Sequence, residues 1–294
     1  MAKTSNKFQG AFTALVTPFK NGKVDFSSLE KLIESQIQGG ISGLVPCGTT
    51  GESPTLSDME KKEIIKFTAE KSNKRITVIA GTGSNDTQHT IELTAFAKEI
   101  GADAALIVVP YYNKPTPEGL FKHFSKIAEE IDIPIVIYNI PGRSVVSLTI
   151  DTIIALSKLS DFVAIKEASG NLNFVSEIIQ NTSISVLSGD DSLTLPILSL
   201  GGKGVISVVS NIFPRQMEEL VTSYLSGDTE KSRTIHFQLF PLMKALFVET
   251  NPAPVKEAMK HLGIIETELR LPLVPVLDKN KKIIVDALTN CSFK

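Results

Sequence analysis

Short apolar stretches rich in β-branched residues recur along this chain at intervals of roughly 20–35 residues, and each leads into a stretch with helical periodicity. The candidate strands are residues 11–18, 43–47, 77–80, 104–109, 135–138, the run Phe162-Val163-Ala164-Ile165-Lys166, 185–187 and 204–207. Such strands are apolar throughout rather than alternating, as parallel strands covered on both faces must be. Eight strands alternating with helices predict a closed (β/α)8 barrel, the α/β TIM-barrel class, rather than an open sheet. Helix boundaries are legible too. Ser27 is a candidate cap for a helix ending at Gly39-Gly40, Ser57 and Glu60 form a capping box, and Pro117 suits a first helical turn. Beyond Asn211 the rhythm stops. Residues 214–225, 229–247 and 254–262 read as helices with no strands between them. The expected organisation is therefore a catalytic barrel over residues 1–212 and a C-terminal helical region over 213–294, packed on the barrel and offering an assembly surface.

A chain of 294 residues, 42% hydrophobic and 21% charged, has apolar material for one large core without disulfides. Cys47 and Cys291 match no metal or redox spacing and read as free thiols in a reducing compartment. A net charge of −2 without basic runs gives no support to nucleic-acid or membrane-surface binding. Residues 1–10 lack the apolar segment of a signal peptide, and no apolar run reaches membrane-spanning length. The expected location is the cytoplasm. His89, His123, His236 and His261 share no ligand spacing, so no metal is expected. Gly81-Thr82-Gly83 lacks the third glycine of a dinucleotide fingerprint.

In a barrel of this class the chemistry sits at the carboxyl ends of the strands. Lys166 closes the sixth strand, Tyr138 the fifth, Tyr111-Tyr112 follow the fourth, and Thr49-Thr50 follow the second. A shielded lysine can lose its proton and attack a carbonyl to form a Schiff base. An unshifted lysine is neutral in only about one molecule per thousand at pH 7.4, and burial shifts it in the productive direction. Each group also has a purely structural reading. Lys166 can snorkel or pair with Glu167, Gly48-Thr49-Thr50-Gly51 can be an ordinary glycine turn, Tyr138 a core tyrosine, and Arg143 a surface arginine paired with an acid. Against these stands the clustering of Lys166, Tyr138, Tyr111-Tyr112 and Thr49-Thr50 at one rim. Gly189-Asp190-Asp191, after the seventh strand, is acidic where phosphate-binding barrels present glycine backbone, which argues against a phosphorylated substrate.

The motifs Gly48-Thr49-Thr50-Gly51-Glu52-Ser53, Pro110-Tyr111-Tyr112-Asn113-Lys114-Pro115, Tyr138-Asn139-Ile140-Pro141-Gly142-Arg143, Ile165-Lys166-Glu167-Ala168-Ser169-Gly170, Ser188-Gly189-Asp190-Asp191, Gly204-Val205-Ile206-Ser207 and Asn251-Pro252-Ala253-Pro254-Val255-Lys256 run in order along nearly the whole chain. Together they resemble the dihydrodipicolinate synthase family of pyruvate-dependent class I aldolases. The resemblance implies that Lys166 forms the Schiff base with pyruvate, with no other cofactor. It implies a proton relay of Tyr138, Thr49 and Tyr112, the last reaching into the neighbouring subunit's site of a homotetramer built as a dimer of dimers. Thr50 would hold the pyruvate carboxylate, the Ile206 carbonyl would line the pocket, and Arg143 would receive aspartate 4-semialdehyde. The product would be hydroxy-tetrahydrodipicolinate, on the diaminopimelate route to lysine.

One departure concerns regulation. Lysine-inhibited members resemble one another at an interface site corresponding here to Ser53, Asp58, Lys61, Asn85, His89 and Tyr111. That pattern has a glutamate where this chain has His89 and a histidine where it has Asp58, so the expectation is weak or absent lysine feedback. The nearest rivals are sister aldolases, N-acetylneuraminate lyase or a keto-deoxy sugar-acid aldolase, which resemble the same scaffold. Arg143 and the Thr49-Thr50 pair favour the synthase, because a sugar-acid site wants hydroxyl partners rather than a guanidinium. A more distant rival is a non-catalytic barrel that binds a small acid. Borohydride trapping with pyruvate separates it, since only an imine-forming lysine gives an adduct.

Overall fold

The computed structural model describes residues 7–291 and residue 293. Eight parallel strands close into a barrel: β1 (Gly10–Ala14), β2 (Gly43–Val45), β3 (Thr77–Gly81), β4 (Ala104–Val108), β5 (Ile135–Asn139), β6 (Phe162–Glu167), β7 (Ser185–Ser188) and β8 (Gly204–Ser207). Each strand pairs with its sequence neighbours, and β1 closes the ring by pairing with both β2 and β8. The closure is tight: a Cβ on Gly204 would lie 1.9 Å from the Gly10 carbonyl oxygen, so the backbones can meet only because residue 204 has no side chain. The expected barrel is present, with strand ends within a few residues of those read from the sequence.

The helices α1 (Phe26–Gln38), α2 (Asp58–Ser72), α3 (Thr87–Glu99), α4 (Pro117–Glu130), α5 (Ile150–Ser157), α6 (Leu172–Asn181), α7 (Thr194–Ser199) and α8 (Pro214–Leu225) follow the strands in turn. The Ser57/Glu60 capping box and Pro117 at the start of α4 are both formed. The cap of α1 differs from the expectation. Asp25, not Ser27, accepts the orphan amides, its Oδ1 bonding the N–H groups of Ser27 and Ser28 at 3.1 Å. The helix starts at Phe26, so Ser27 lies within its first turn and supplies one of the orphan donors itself, while Asp25 stands at the cap.

Helix α8 packs on β1, and its Glu218 accepts hydrogen bonds from the backbone N–H groups of Ala11 (2.9 Å) and Ser42 (3.1 Å), tying the β1 and β2 segments together. We therefore propose to count α8 with the barrel and to start the appendage after Leu225. The appendage holds α9 (Thr229–Ala245), α10 (Ala253–His261) and α11 (Asp278–Asn290), of which α9 and α10 both pack against α11. Helix α11 was not legible in the sequence, and neither was the small ribbon formed by Phe19–Lys20 and Lys23–Val24. Among the described residues no helix is long and apolar enough to cross a membrane.

Two hydrophobic layers lie between the strands and the helices, and a third cluster fills the barrel itself. Phe8, Phe12, Leu106, Val136, Ala164, Leu187 and Ile206 belong to that interior cluster, and so does Tyr138. The appendage is pinned to the barrel by a buried ion pair. Lys256 Nζ, on α10, meets Glu52 Oε1, and both side chains are fully excluded from solvent. The second Glu52 oxygen accepts from the Arg270 N–H at 3.1 Å, and the Arg270 guanidinium forks onto Glu60. Lys256 Nζ and the Arg270 guanidinium carbon each lie 4.4 Å from the centroid of the Phe19 ring. Removing one partner of such a pair strands a charge in the core. Lys256→Met should therefore lower stability by about 3–5 kcal/mol, read from urea unfolding followed by circular dichroism. A loss below about 1 kcal/mol, the range of exposed ion pairs, would mean that the pair contributes no more than a surface one.

Candidate active site

Parallel pairing sets Tyr138 of β5 level with Lys166 of β6, and Asn139 level with Glu167. Residues level on adjacent strands share a face, and successive residues alternate between faces. Tyr138 and Lys166 thus share the barrel interior, and Asn139 and Glu167 face the helices. The Lys166–Glu167 pairing considered from the sequence does not form. Glu167 accepts instead from Asn139 Nδ2 (2.8 Å) and from the Ser169 N–H (2.5 Å). Lys166 has 6% of its surface exposed, and its Nζ lies 4.2 Å from the centroid of the Tyr138 ring. Gly189 leaves room for the amine stem, since a Cβ there would come within 3.2 Å of Lys166 Cε and 2.6 Å of Ala168 Cβ.

Burial lowers the Lys166 amine from 10.5 to about 7; Asp191 opposes that shift and Arg143 reinforces it. The same burial pushes the Tyr138 phenol up to about 12, against a hydrogen bond to Thr49 and the nearby Arg143 charge. Lysine and tyrosine therefore move in opposite directions for one reason: the interior disfavours whichever form carries charge. Asp191 completes this buried set. Its Oδ2 accepts from the N–H groups of Val208 and Val209, both at 3.0 Å, while burial holds its acid up to about 6. The sequence reading used Asp191 as evidence against phosphate and as part of a family motif, and gave it no role beside Lys166. Its closeness to Lys166 depends on β6 and β7 being neighbours.

A cavity of about 240 Å³ opens at this rim. Thr49, Tyr138 and Arg143 line one part of it, and Ser53, Lys61 and Tyr111 another. Lys166, Thr50 and Ile206 are buried beside it rather than among its lining residues. The turn that carries both threonines is closed by the N–H groups of Gly51 and Ser53, each bonding the Gly48 carbonyl. Tyr112 stands apart: its φ is 72° and 89% of its surface is exposed, so within one chain it does not approach Lys166.

The residues expected to form a regulatory site divide. Asp58 Oδ1 is 3.0 Å from His89 Nε2 and 3.7 Å from Lys61 Nζ, while Asn85 uses its carbonyl to accept from Asn113 Nδ2. The sequence reading also missed Asn251 and Glu52 as parts of this rim. Asn251 Nδ2 donates to Thr50 Oγ1 (3.0 Å), and the Asn251 carbonyl accepts from Arg143 Nη2 (3.1 Å). These contacts join residues roughly one hundred to two hundred positions apart, a separation no local pattern encodes. Among the described residues no group of three or more His, Cys, Asp or Glu side chains could hold a metal ion.

A closed barrel with a desolvated lysine beside a phenol at its carboxyl rim is the architecture of a Schiff-base aldolase. The sequence model of the dihydrodipicolinate synthetase family matches residues 7–291. A 4-hydroxy-tetrahydrodipicolinate synthase from Methanocaldococcus jannaschii is 54% identical over 282 residues, covering 96% of this chain and 98% of that one. A solved dihydrodipicolinate synthase from Acinetobacter baumannii, chloride-inhibited and complexed with pyruvate, is 43% identical, with TM-score 0.94 over 96% of this chain and 98% of that one. Another, described as the first monomeric dihydrodipicolinate synthase variant, is 45% identical, with TM-score 0.95 and 98% coverage of both chains. The chain belongs to the dihydrodipicolinate synthetase family.

Between pH 7 and 10.5 the unfolded chain holds a Lys166 proton that the folded chain releases, so stability rises with pH across that window. The lysine destabilises the fold most below pH 7, and the penalty vanishes near 10.5. Lys166→Met should be more stable than the parent at pH 7, by a margin that shrinks about 1.4 kcal/mol per pH unit above it. Urea midpoints at pH 7 and 9.5 measure that margin, and equal midpoints at both would show the amine to be solvated in the folded chain.

Proposed function

We propose that this chain is an enzyme that condenses pyruvate, held as an imine on Lys166, with L-aspartate 4-semialdehyde. The observation that carries the proposal is the Lys166–Tyr138 pair: an amine held near 7 by burial, with its nitrogen 4.2 Å from the ring of a phenol held near 12. At neutral pH about half of such an amine is free to attack the keto carbon. The carbinolamine must then lose its hydroxyl as water, and Tyr138 is the acid within reach that stays protonated. The imine nitrogen withdraws electrons, the methyl carbon gives up a proton, and the resulting enamine attacks the aldehyde. The amine of the second substrate then displaces Lys166 at the keto carbon, closing the ring and returning the lysine. Thr49, hydrogen-bonded to Tyr138, passes the proton outward, and Tyr112 of a neighbouring subunit continues the relay. Thr50 receives the pyruvate carboxylate, the Ile206 carbonyl closes the pocket wall, and Arg143 receives the carboxylate of the semialdehyde bidentately. The reaction needs no cofactor beyond the covalent imine.

Borohydride reduction in the presence of pyruvate should fix the three-carbon unit on Lys166, seen as a mass shift on the peptide that carries it. In a reductase-coupled assay Arg143→Ala should lower kcat/KM for the semialdehyde by about 10- to 100-fold, the loss of a charge-assisted contact. An adduct with pyruvate but turnover only with sialic or keto-deoxy sugar acids would move the chain to a sister activity. Feedback by lysine is weak in this reading, because the one carboxylate of the Asp58–His89–Lys61 cluster is already engaged by two basic partners. Sub-millimolar lysine should accordingly leave the coupled rate unchanged, and inhibition there would refute this point.

The assembly is a homotetramer, a dimer of dimers, in a cytoplasmic setting. An almost wholly exposed tyrosine in a left-handed backbone conformation is costly to keep unless a partner uses it. If Tyr112 is shared between subunits, mixing inactive Tyr112→Phe and Lys166→Ala subunits under conditions of exchange should restore activity, because each hybrid pair then contains one site built of native residues. No recovery after exchange verified by mass spectrometry would mean that the tyrosine serves its own chain or none.

A further inference from the structure

Asn251 is 5% exposed and touches both ends of the proposed site: its side chain meets Thr50 and its backbone carbonyl meets Arg143. A hydroxyl has one proton to give and two lone pairs to receive with. Asn251 Nδ2 occupies a lone pair of Thr50 Oγ1 at 3.0 Å, so the Thr50 proton has to point elsewhere. A carboxylate can only accept. Thr50 therefore binds a keto-acid carboxylate well only if its proton faces that group, and a donor behind the oxygen enforces this orientation. We propose that Asn251 is a positioning residue that fixes Thr50 as a hydrogen-bond donor toward the pyruvate carboxylate. The inference rests on the reading of Thr50 given above and adds a second residue, supplied by the appendage, to the recognition of the first substrate.

The chemistry separates this role from general packing. In Asn251→Asp the side chain keeps its shape but becomes acceptor-only, so the Thr50 proton is drawn backward onto the new carboxylate. Asn251→Leu keeps most of the volume and removes the donor, leaving the Thr50 hydroxyl free to choose. The readout is the pyruvate concentration that half-saturates the borohydride adduct on Lys166, which isolates binding of the first substrate from later steps. Asn251→Asp should raise it about tenfold or more and Asn251→Leu severalfold, since a hydrogen bond to a charged group is at stake. In a Thr50→Val background, where no hydroxyl remains to be oriented, Asn251→Leu should have no further effect, and Asn251→Asp should lose most of its own.

Equal effects of both substitutions with and without the Thr50 hydroxyl would show a structural or purely charge-based role and overturn the proposal. An unchanged half-saturation in Asn251→Asp would overturn it too, because it would mean that Oδ1, not Nδ2, already faces Thr50. If Asn251→Asp does not fold, Asn251→Leu and its pairing with Thr50→Val decide alone. Failure of the parent protein to form any adduct would instead refute the imine reading, a result distinct from any of these.

Discussion

Everything at the rim depends on keeping water away from one amine. The barrel does this with bulk: an apolar cluster fills its interior, Lys166 is 6% exposed, and its nitrogen lies 4.2 Å from the centroid of the Tyr138 ring. The consequence is a pair of opposed shifts with burial as the largest cause of each, since the same loss of hydration deprotonates a base and protonates an acid. Asp191 tempers the effect. Its carboxylate favours the ammonium, and because burial raises that acid to about 6 the pull fades only as pH falls below neutral.

Barrel architecture supplies the register, and loops supply the recognition. The strand pairing that levels Tyr138 with Lys166 is fixed by the closed sheet and tolerates little change. The turn with Thr49 and Thr50, by contrast, is held from outside the sheet. Glu52 immediately after it is locked by Lys256 and by the Arg270 backbone, and Thr50 is held by Asn251. On the proposed function, catalytic geometry thus rests on strands and carboxylate recognition on long-range clamps.

Which parts were legible in the sequence follows from this division. Apolar, β-branched runs announce buried strands, so all eight were found, and their ends carried Tyr138 and Lys166 with them. Capping signals held where the capping pair was local, as at Ser57 and Glu60, and failed at Ser27, where an upstream aspartate served better. Helix α11 begins Asp-Lys-Asn-Lys-Lys, a polar opening in which the apolar stripe is hard to see. Nothing near Lys256 in sequence reveals that its partner is Glu52. Asn251 and Asp191 stood within recognisable motifs, but their contacts were not legible for the same reason: those contacts are set by which segments the fold brings together.

The clamps also bear on how such a barrel can change over evolutionary time. A segment that docks on the outside of a scaffold can usually be exchanged or trimmed without harm to the centre. Here the segment from Asn251 to Arg270 reaches back to the turn after the second strand, so scaffold and tail are bound to diverge as one unit. Grafting the eight-stranded ring alone onto another context would carry over the buried amine and leave behind the segment that holds the turn with Thr49 and Thr50.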